Sequence, residues 1–346
     1  MAFDLSNTLV VGISATALFD MSESDQMFKD GLETDPESAI PNYRRYMQER
    51  ENELLKPGTG YYLVKALLDL NQHRKSDDQA PLVEVVVMSR NSPDTGIRVL
   101  KTIRHDQLAI TRSAFTGGES VADYIDAFDV DLFLTTNVDD AQKVIDSRQC
   151  AAAILTAPPA NAPQIPEGQV RIAFDGDAVL FSDASELVYK TKGLVAFQAQ
   201  EDALQHTPME EGPYASLLKK LASLQERLPT GCKDSPIRIA IVTARNSPSE
   251  MRVINTLRAW GVYVDEAFFL GGVGKAKVLT AFNPHIFFDD QDIHLEAAAT
   301  LVPSGKVPYL TRTNVLELPA PANKEGGVLE AADSGVESAE PLKDSI

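Results

Sequence analysis

The chain has 346 residues, 44% of them hydrophobic and 24% charged, and a formal net charge of −18. These are globular proportions with room for two ordinary domains, and the acidic balance disfavours non-specific binding to nucleic acid or to an anionic membrane surface. Two cysteines, Cys150 and Cys232, lie far apart without metal-ligand spacing; no apolar run approaches the ~20 residues of a membrane span, and Met1–Ser6 lacks the basic and apolar regions of a signal peptide, so free thiols and a cytoplasmic location are expected.

Leu9–Ile13 reads as a short apolar strand. Residues 21–80 are polar and mostly helical in pattern, with Tyr61–Leu68 the clearest amphipathic piece. A strand is expected over Val83–Met88, followed by a helix that Ser92-Pro93 opens and that runs through Arg104. Ser113–Thr116 looks like a strand ending on Gly117-Gly118. A helix near 119–127, a strand at Asp131–Leu134, a helix over 138–147 and a strand at Ala152–Leu155 complete the first part. Strands alternating with helices imply a parallel sheet covered by helices. Thr156–Gly168 contains Pro158, Pro159, Pro163 and Pro166 and reads as a connector.

The pattern then begins again. Val85–Pro93 matches Ile239–Pro248 on a shared Arg-Asn-Ser-Pro, Arg98–Arg104 matches Arg252–Arg258, and Ala114–Gly118 matches Phe268–Gly272. Phe128–Leu134 matches Phe282–Phe288 at the same spacing from the glycine pair, and Gly58–Leu67 resembles Gly212–Leu221. Leu9–Phe19 matches Val170–Phe181 more loosely. One α/β unit is therefore written twice, each copy long enough to hold a core. The copies differ in their polar residues. Asp175 and Asp177 fall opposite Ile13–Thr16, Thr243 opposite Met88, Lys275 opposite Val121, and Asp289-Asp290 opposite Thr135-Thr136. The loss of a whole set of acids with their lysine points to the second copy as the active one.

In that copy the strand Val170–Phe174 stops at Asp175-Gly176-Asp177. Two like charges at a strand end are unfavourable unless a cation or phosphate chemistry uses them. Three further strand ends carry polar groups: Thr243 after Ile239–Val242, Lys275 beyond Gly271-Gly272, and Asp289-Asp290 after His285–Phe288. Parallel strands place all of them at one sheet edge, where ligands bind in open α/β sheets. There the acids can hold a hard divalent cation, most plausibly Mg²⁺, and Thr243 and Lys275 can hold phosphate oxygens. Phosphoryl transfer needs this mixture of nucleophile, proton donor, metal and cationic clamp.

The order Asp-x-Asp, Thr, Lys, Asp-Asp resembles the four motifs of the haloacid dehalogenase superfamily of phosphatases. More narrowly, Arg171–Asp183, Thr243-Ala244-Arg245-Asn246, Phe269–Gly272 and Phe287–Asp290 are similar to the cytosolic 5'-nucleotidase type I family, over about residues 8–318. The resemblance implies two tandem haloacid-dehalogenase-like parallel-sheet units with helical cap inserts. These are a degenerate unit over 1–155, a linker over 156–168 and a catalytic unit over 169–318 with a cap insert at about 184–236. It implies that Asp175 attacks phosphorus to form an aspartyl-phosphate, and that Asp177 protonates the leaving 5'-oxygen and then activates water. Asp289, Asp175 and the backbone carbonyl of Asp177 would hold Mg²⁺, with Asp290 a ligand through water or an orienting group. Lys275 would neutralise charge on the phosphate and Asp175, with Lys277 the competitor. The implied reaction is release of phosphate from a nucleoside 5'-monophosphate, AMP above all. Another small phosphate ester, or a nucleotide-binding regulatory role, stands as the alternative.

Phe197 and Tyr214 in the insert are candidates for stacking on a nucleobase, with core packing an equal alternative. Arg245 and Asn246 could touch phosphate or sugar; the first copy keeps both, as Arg90 and Asn91, which argues equally for bracing the loop. The first copy either binds an effector nucleotide or serves as an architectural partner, and a homo-oligomer is left open. The five histidines show no ligand spacing, and His285, inside a strand pattern, is read as structural. Pro319–Ile346 reads as a disordered acidic tail.

Overall fold

The inner strands, Leu9–Ile13, Leu132–Thr135 and Ile286–Asp289 among them, are short runs of mostly aliphatic and aromatic residues buried on both faces, the composition of an internal parallel sheet. The computed structural model describes residues 4–75, 80–159, 168–229 and 235–311. The expected tail at 319–346, Cys232 and most of the expected linker lie outside the described residues.

The first half runs β1 (Leu9–Ile13), α1 (Ala15–Leu18), β2 (Phe19–Asp20), α2 (Ser22–Thr34), α3 (Pro36–Glu49), β3 (Lys56–Pro57), α4 (Tyr61–Asp69), β4 (Val83–Ser89), α5 (Ile97–His105), β5 (Arg112–Phe115), β6 (Leu132–Thr135), α6 (Val138–Ser147) and β7 (Ala151–Leu155). The second runs β8 (Val170–Phe174), α7 (Ala184–Ala203), α8 (Ala215–Arg227), β9 (Ile237–Thr243), α9 (Glu250–Ala259), β10 (Glu266–Phe269), α10 (Ala276–Phe282), β11 (Ile286–Asp289), α11 (Asp292–Ala298) and β12 (Ser304–Lys306). Ten strands form one sheet in the order β10-β9-β8-β11-β12-β7-β6-β1-β4-β5, while β2 and β3 pair separately. The order reads the same from either end when each half is numbered from its own first strand. Within the ten-stranded sheet all pairings inside a half are parallel, β12 and β7 pair antiparallel where the halves join, and the separate β2–β3 pair is antiparallel. The two halves therefore point their strand ends to opposite edges of one continuous sheet.

The helix expected near 119–127 is two 3-10 turns, Val121–Tyr124 and Asp126–Phe128, and the helix that Ser92-Pro93 was expected to open begins at Ile97. The largest core cluster draws on both halves, from Val11 and Leu67 to Ile172 and Leu221. Its helices cross over: α4 packs on β8 and α8 on β1. The insert of the second half thus divides. Leu217, Leu218, Leu221 and Leu224 of α8 are buried in the sheet core, leaving α7 beside the strand ends. The repeated glycines before α4 and α8 have a steric cause. A Cβ at Gly212 would stand 2.6 Å from the carbonyl oxygen of Val179, and one at Gly58 2.8 Å from that of Ala17.

Strand pairing corrects one sequence match. Ser89 lies beside Phe115 as Thr243 lies beside Phe269, two residues before each glycine pair. The counterpart of Thr243 is therefore Ser89 rather than Met88, and Ala244 is a one-residue insertion before the shared Arg-Asn. Likewise Ile13 pairs with Val87 as Phe174 pairs with Ile241, which sets Ser14-Ala15-Thr16 against Asp175-Gly176-Asp177. The first half keeps hydroxyls where the second has carboxylates, and Thr16 Oγ1 lies 2.5 Å from Thr136 Oγ1.

Candidate active site

Asp175 follows β8 directly; its amide donates to the carbonyl of Phe288 (2.8 Å), which continues the ladder with β11 and fixes where the side chain emerges. Thr243 ends β9, Lys275 precedes α10, and Asp289 ends β11. Asp175, Thr243, Lys275, Asp289 and Asp290 are all buried, none more than 4% exposed.

Lys275 ties the group together. Its Nζ lies 2.9 Å from Asp175 Oδ1 and 2.6 Å from Asp289 Oδ2. Lys277 is exposed and takes no part. The amide of Gly176 donates to Asp175 Oδ1 (2.7 Å) and that of Gln291 to Asp289 Oδ1 (2.8 Å). Thr243 faces the same turn: a Cβ on Gly176 would meet its Oγ1 at 3.3 Å.

Three buried carboxylates against one lysine leave an electrostatic deficit. Burial disfavours the charge on Asp175 and, despite the pull of Lys275, its carboxyl is pushed up to about 7. Asp289 resolves the other way. Burial opposes its charge, but the hydrogen bond with His294 and the Lys275 ammonium hold it below the usual carboxylate range. Asp290 is driven far up by burial and by the charges of Asp175, Asp289 and Glu186. Lys275 keeps its proton more firmly than usual; burial opposes this and the two aspartates overcome it.

Asp290 Oδ2 accepts from the hydroxyl of Tyr309, whereas Asp290 Oδ1 is buried with no partner. Tyr309 also lies 3.2 Å from Glu186 Oε2, and Glu186 pairs with Lys190 at 2.8 Å. The carbonyl of Tyr309 accepts from Gln142 on α6 (2.8 Å), so the first half anchors a residue of this site. Tyr309 and Glu186 carry no motif, and the sequence reading passed over both. His294, one of the five histidines without ligand spacing in the sequence, does come beside two of the acids. Asp175, Asp289 and His294 each place a ligand atom within 4.8 Å of the others, and His294 Nδ1 is 3.2 Å from Asp289 Oδ2.

Asp177 stands near enough for its charge to act on Asp175, but it has a partner of its own. Arg245 grips its carboxylate in a fork, Nε to Oδ2 at 2.8 Å and Nη2 to Oδ1 at 2.6 Å. Arg245 is itself buried, and the ring of Phe197 stands 5.2 Å from its guanidinium carbon. Phe197, a candidate for stacking on a base, is thus engaged with an arginine. Tyr214, the other candidate, is fully buried, 6.2 Å from Phe174 and 5.0 Å from Phe288 between ring centroids. Its ring belongs to the core and is closed to a base, because α8 starts inside the sheet packing. Ala244 is exposed at the loop tip. Asn246 packs under Gly271, and the amide of Gly271 donates to the carbonyl of Arg245 (3.2 Å). In the first half the glycine pair also bonds the Arg-Asn loop, shifted by one residue: Gly117 donates to the carbonyl of Asn91 (3.1 Å) and Gly118 to that of Arg90 (2.7 Å), so the glycines brace this loop in both halves. His285 accepts the amide of Arg171 (3.0 Å), and burial with the nearby Arg171 charge lowers it to about 4, as befits a structural residue.

Buried acids, a lysine and a hydroxyl thus meet at the strand ends of one half of the sheet, where ligands bind in open α/β folds, and Asp175, Asp289 and His294 are placed so that they could hold a metal ion. The chain belongs to the 5'-nucleotidase family, whose model matches residues 1–314. It is 34% identical over 301 residues to the human (Homo sapiens) cytosolic 5'-nucleotidase 1B, a match covering 85% of this chain and 48% of that protein. The chain therefore spans about half the length of this curated relative. No solved structure matches it. Among the described residues, no helix is long and apolar enough to cross a membrane.

Proposed function

We propose that the protein is a Mg²⁺-dependent 5'-nucleotidase, a cytoplasmic phosphoric monoester hydrolase that releases phosphate from nucleoside 5'-monophosphates with AMP preferred. The observation that carries this reading is the buried Asp175–Lys275–Asp289 arrangement at the strand ends. Family membership and the human relative's name support the nucleotide substrate.

The residues fit a hard divalent cation. Asp175, Asp289 and the orphaned oxygen of Asp290 are oxygen donors, and their surplus buried charge is what such an ion would neutralise. Asp175, Asp289, Asp290 and the backbone carbonyl of Asp177 would hold it, with His294 bound to Asp289 from outside. When bound, the ion supplies charge neutralisation between nucleophile and phosphate.

Asp175 is the nucleophile. Its carboxylate oxygen bonds to phosphorus as the bond to the nucleoside 5'-oxygen breaks, giving an aspartyl-phosphate. Asp177 donates its proton to the departing oxygen, then takes one from the water that hydrolyses the intermediate and restores Asp175. Thr243 hydrogen-bonds a phosphate oxygen, and Lys275 keeps its proton and offsets charge on the phosphoryl group. The two halves are read as tandem haloacid-dehalogenase-like units, the first without the acids and serving to support the second. The test is Asp175→Asn, which keeps the shape of the side chain and removes the nucleophile. The variant should fold and release no phosphate from AMP; turnover like that of wild type would overturn the assignment.

A further inference from the structure

The arginine after β9 is present in both halves, but what it grips differs. In the second half Arg245 holds Asp177 with one side of its guanidinium and Glu201 with the other. Glu201 lies in the second arm of α7 and is fully buried. Its Oε1 accepts from Ser185 (2.8 Å) at the start of the same helix and from Arg252 (2.8 Å) on α9. The two arms of α7 meet at Gly193, whose φ of 81° is open to glycine at little cost. This kink lets Ser185 reach back to Glu201. A buried carboxylate that binds two arginines and a hydroxyl is fully satisfied and has little freedom to move.

The first half serves as an internal control. Strand register sets Thr16 against Asp177, and counting back without a gap from the aligned Gly58 and Gly212 places Met47 where Glu201 stands. With both carboxylates absent, Arg90 turns elsewhere and forks Asp140 at 2.8 and 2.6 Å. Retaining the arginine is thus not enough to aim it at the strand-end loop.

We propose that Glu201 is a positioning residue that acts through Arg245, holding the guanidinium so that its fork sets the direction of the Asp177 carboxylate toward the leaving oxygen. The inference rests on the proposed reaction and adds a residue of α7 to it. Removing the charge of Glu201 frees Arg245 to follow other acceptors, as Arg90 does, and Asp177 loses its orientation. Protonation of the leaving oxygen should then suffer while attack by Asp175 does not.

The experiment compares AMP with its analogue in which sulfur replaces the bridging 5'-oxygen. A thiolate departs without a proton, so the analogue bypasses Asp177 in the first step. For Glu201→Gln we expect kcat with AMP to fall about 10-fold or more, since general acids contribute ~10²–10⁴-fold. KM for AMP should change little, and kcat/KM with the sulfur analogue, which ends at the first bond cleavage and leaves out the later activation of water by Asp177, should stay within about 3-fold of wild type. Arg245→Lys, which keeps the charge and loses the fork, should show the same split and serves if Glu201→Gln does not fold. Equal losses of kcat/KM on both substrates, or no loss on AMP, would overturn the proposal. A wild-type protein that hydrolyses neither nucleotide would instead overturn the proposed reaction.

Discussion

Replacing Lys275 with methionine tests the electrostatics of the site without reference to turnover. The substitution keeps most of the apolar stem and deletes the one ammonium between Asp175 and Asp289. Removing one partner of a buried ion pair costs about 3–5 kcal/mol, because the other charge is left buried and uncompensated. At ~2–4 °C per kcal/mol for chains of 150–250 residues, and less for a longer one, the melting temperature should fall by about 5–10 °C. The effect has a pH signature. Asp175 already stands at about 7 through burial, against the pull of Lys275, and loss of the lysine raises it further. Its unfolded value remains ~3.9. Between those values the folded state holds a proton that the unfolded state has lost, so stability falls as pH rises until the folded value is passed. The deficit of Lys275→Met relative to wild type should therefore be larger at pH 8 than at pH 6, read by thermal denaturation in metal-free buffer. A variant that melts within about 1 °C of wild type at pH 8, or with the same deficit at both pH values, would refute the reasoning.

Tyr309→Phe leaves Asp290 without its donor. Thermal denaturation should show a loss of about 1–3 kcal/mol, the cost of an unsatisfied buried acceptor. Thr243→Ala removes one hydrogen bond to a charged group, worth ~1.5–3 kcal/mol. Steady-state kinetics with AMP should show kcat/KM reduced about 10- to 100-fold, and Thr243→Ser should recover much of it. Mg²⁺ should raise the melting temperature of the wild type by mass action and leave that of Asp289→Asn unmoved; equal shifts in both proteins would place the ion elsewhere.

The strand ends were legible because each is local. An apolar run that stops at Asp175, Thr243 or Asp289 shows its end in the sequence, and a parallel sheet brings such ends to one edge. The join between the halves was not. The antiparallel pairing of β12 with β7 is a long-range contact between two short strands, and it turns the first half's strand ends to the far edge. The match of Thr243 to Met88 failed because Arg-Asn-Ser-Pro is a strong anchor that hides the insertion of Ala244, whereas strand register responds to the β5 and β10 neighbours. The choice between base stacking and core packing for Tyr214 stayed open in the sequence for a related reason. Its place in an insert suggested a cap, but α8 buries its apolar face against β1 of the other half, a partner no local pattern reveals. Tyr309 and Glu201 make their contacts with residues remote in sequence, such as Asp290, Glu186, Arg245 and Arg252, which no local pattern reveals.

The central claim is tested most directly by phosphate release from AMP by the purified protein, assayed with Mg²⁺ and again with EDTA, beside the Asp175→Asn variant. The account predicts release that depends on Mg²⁺, is lost with EDTA and is absent from the variant. No release by folded wild-type protein in Mg²⁺, or release that persists in EDTA or in Asp175→Asn, would contradict it.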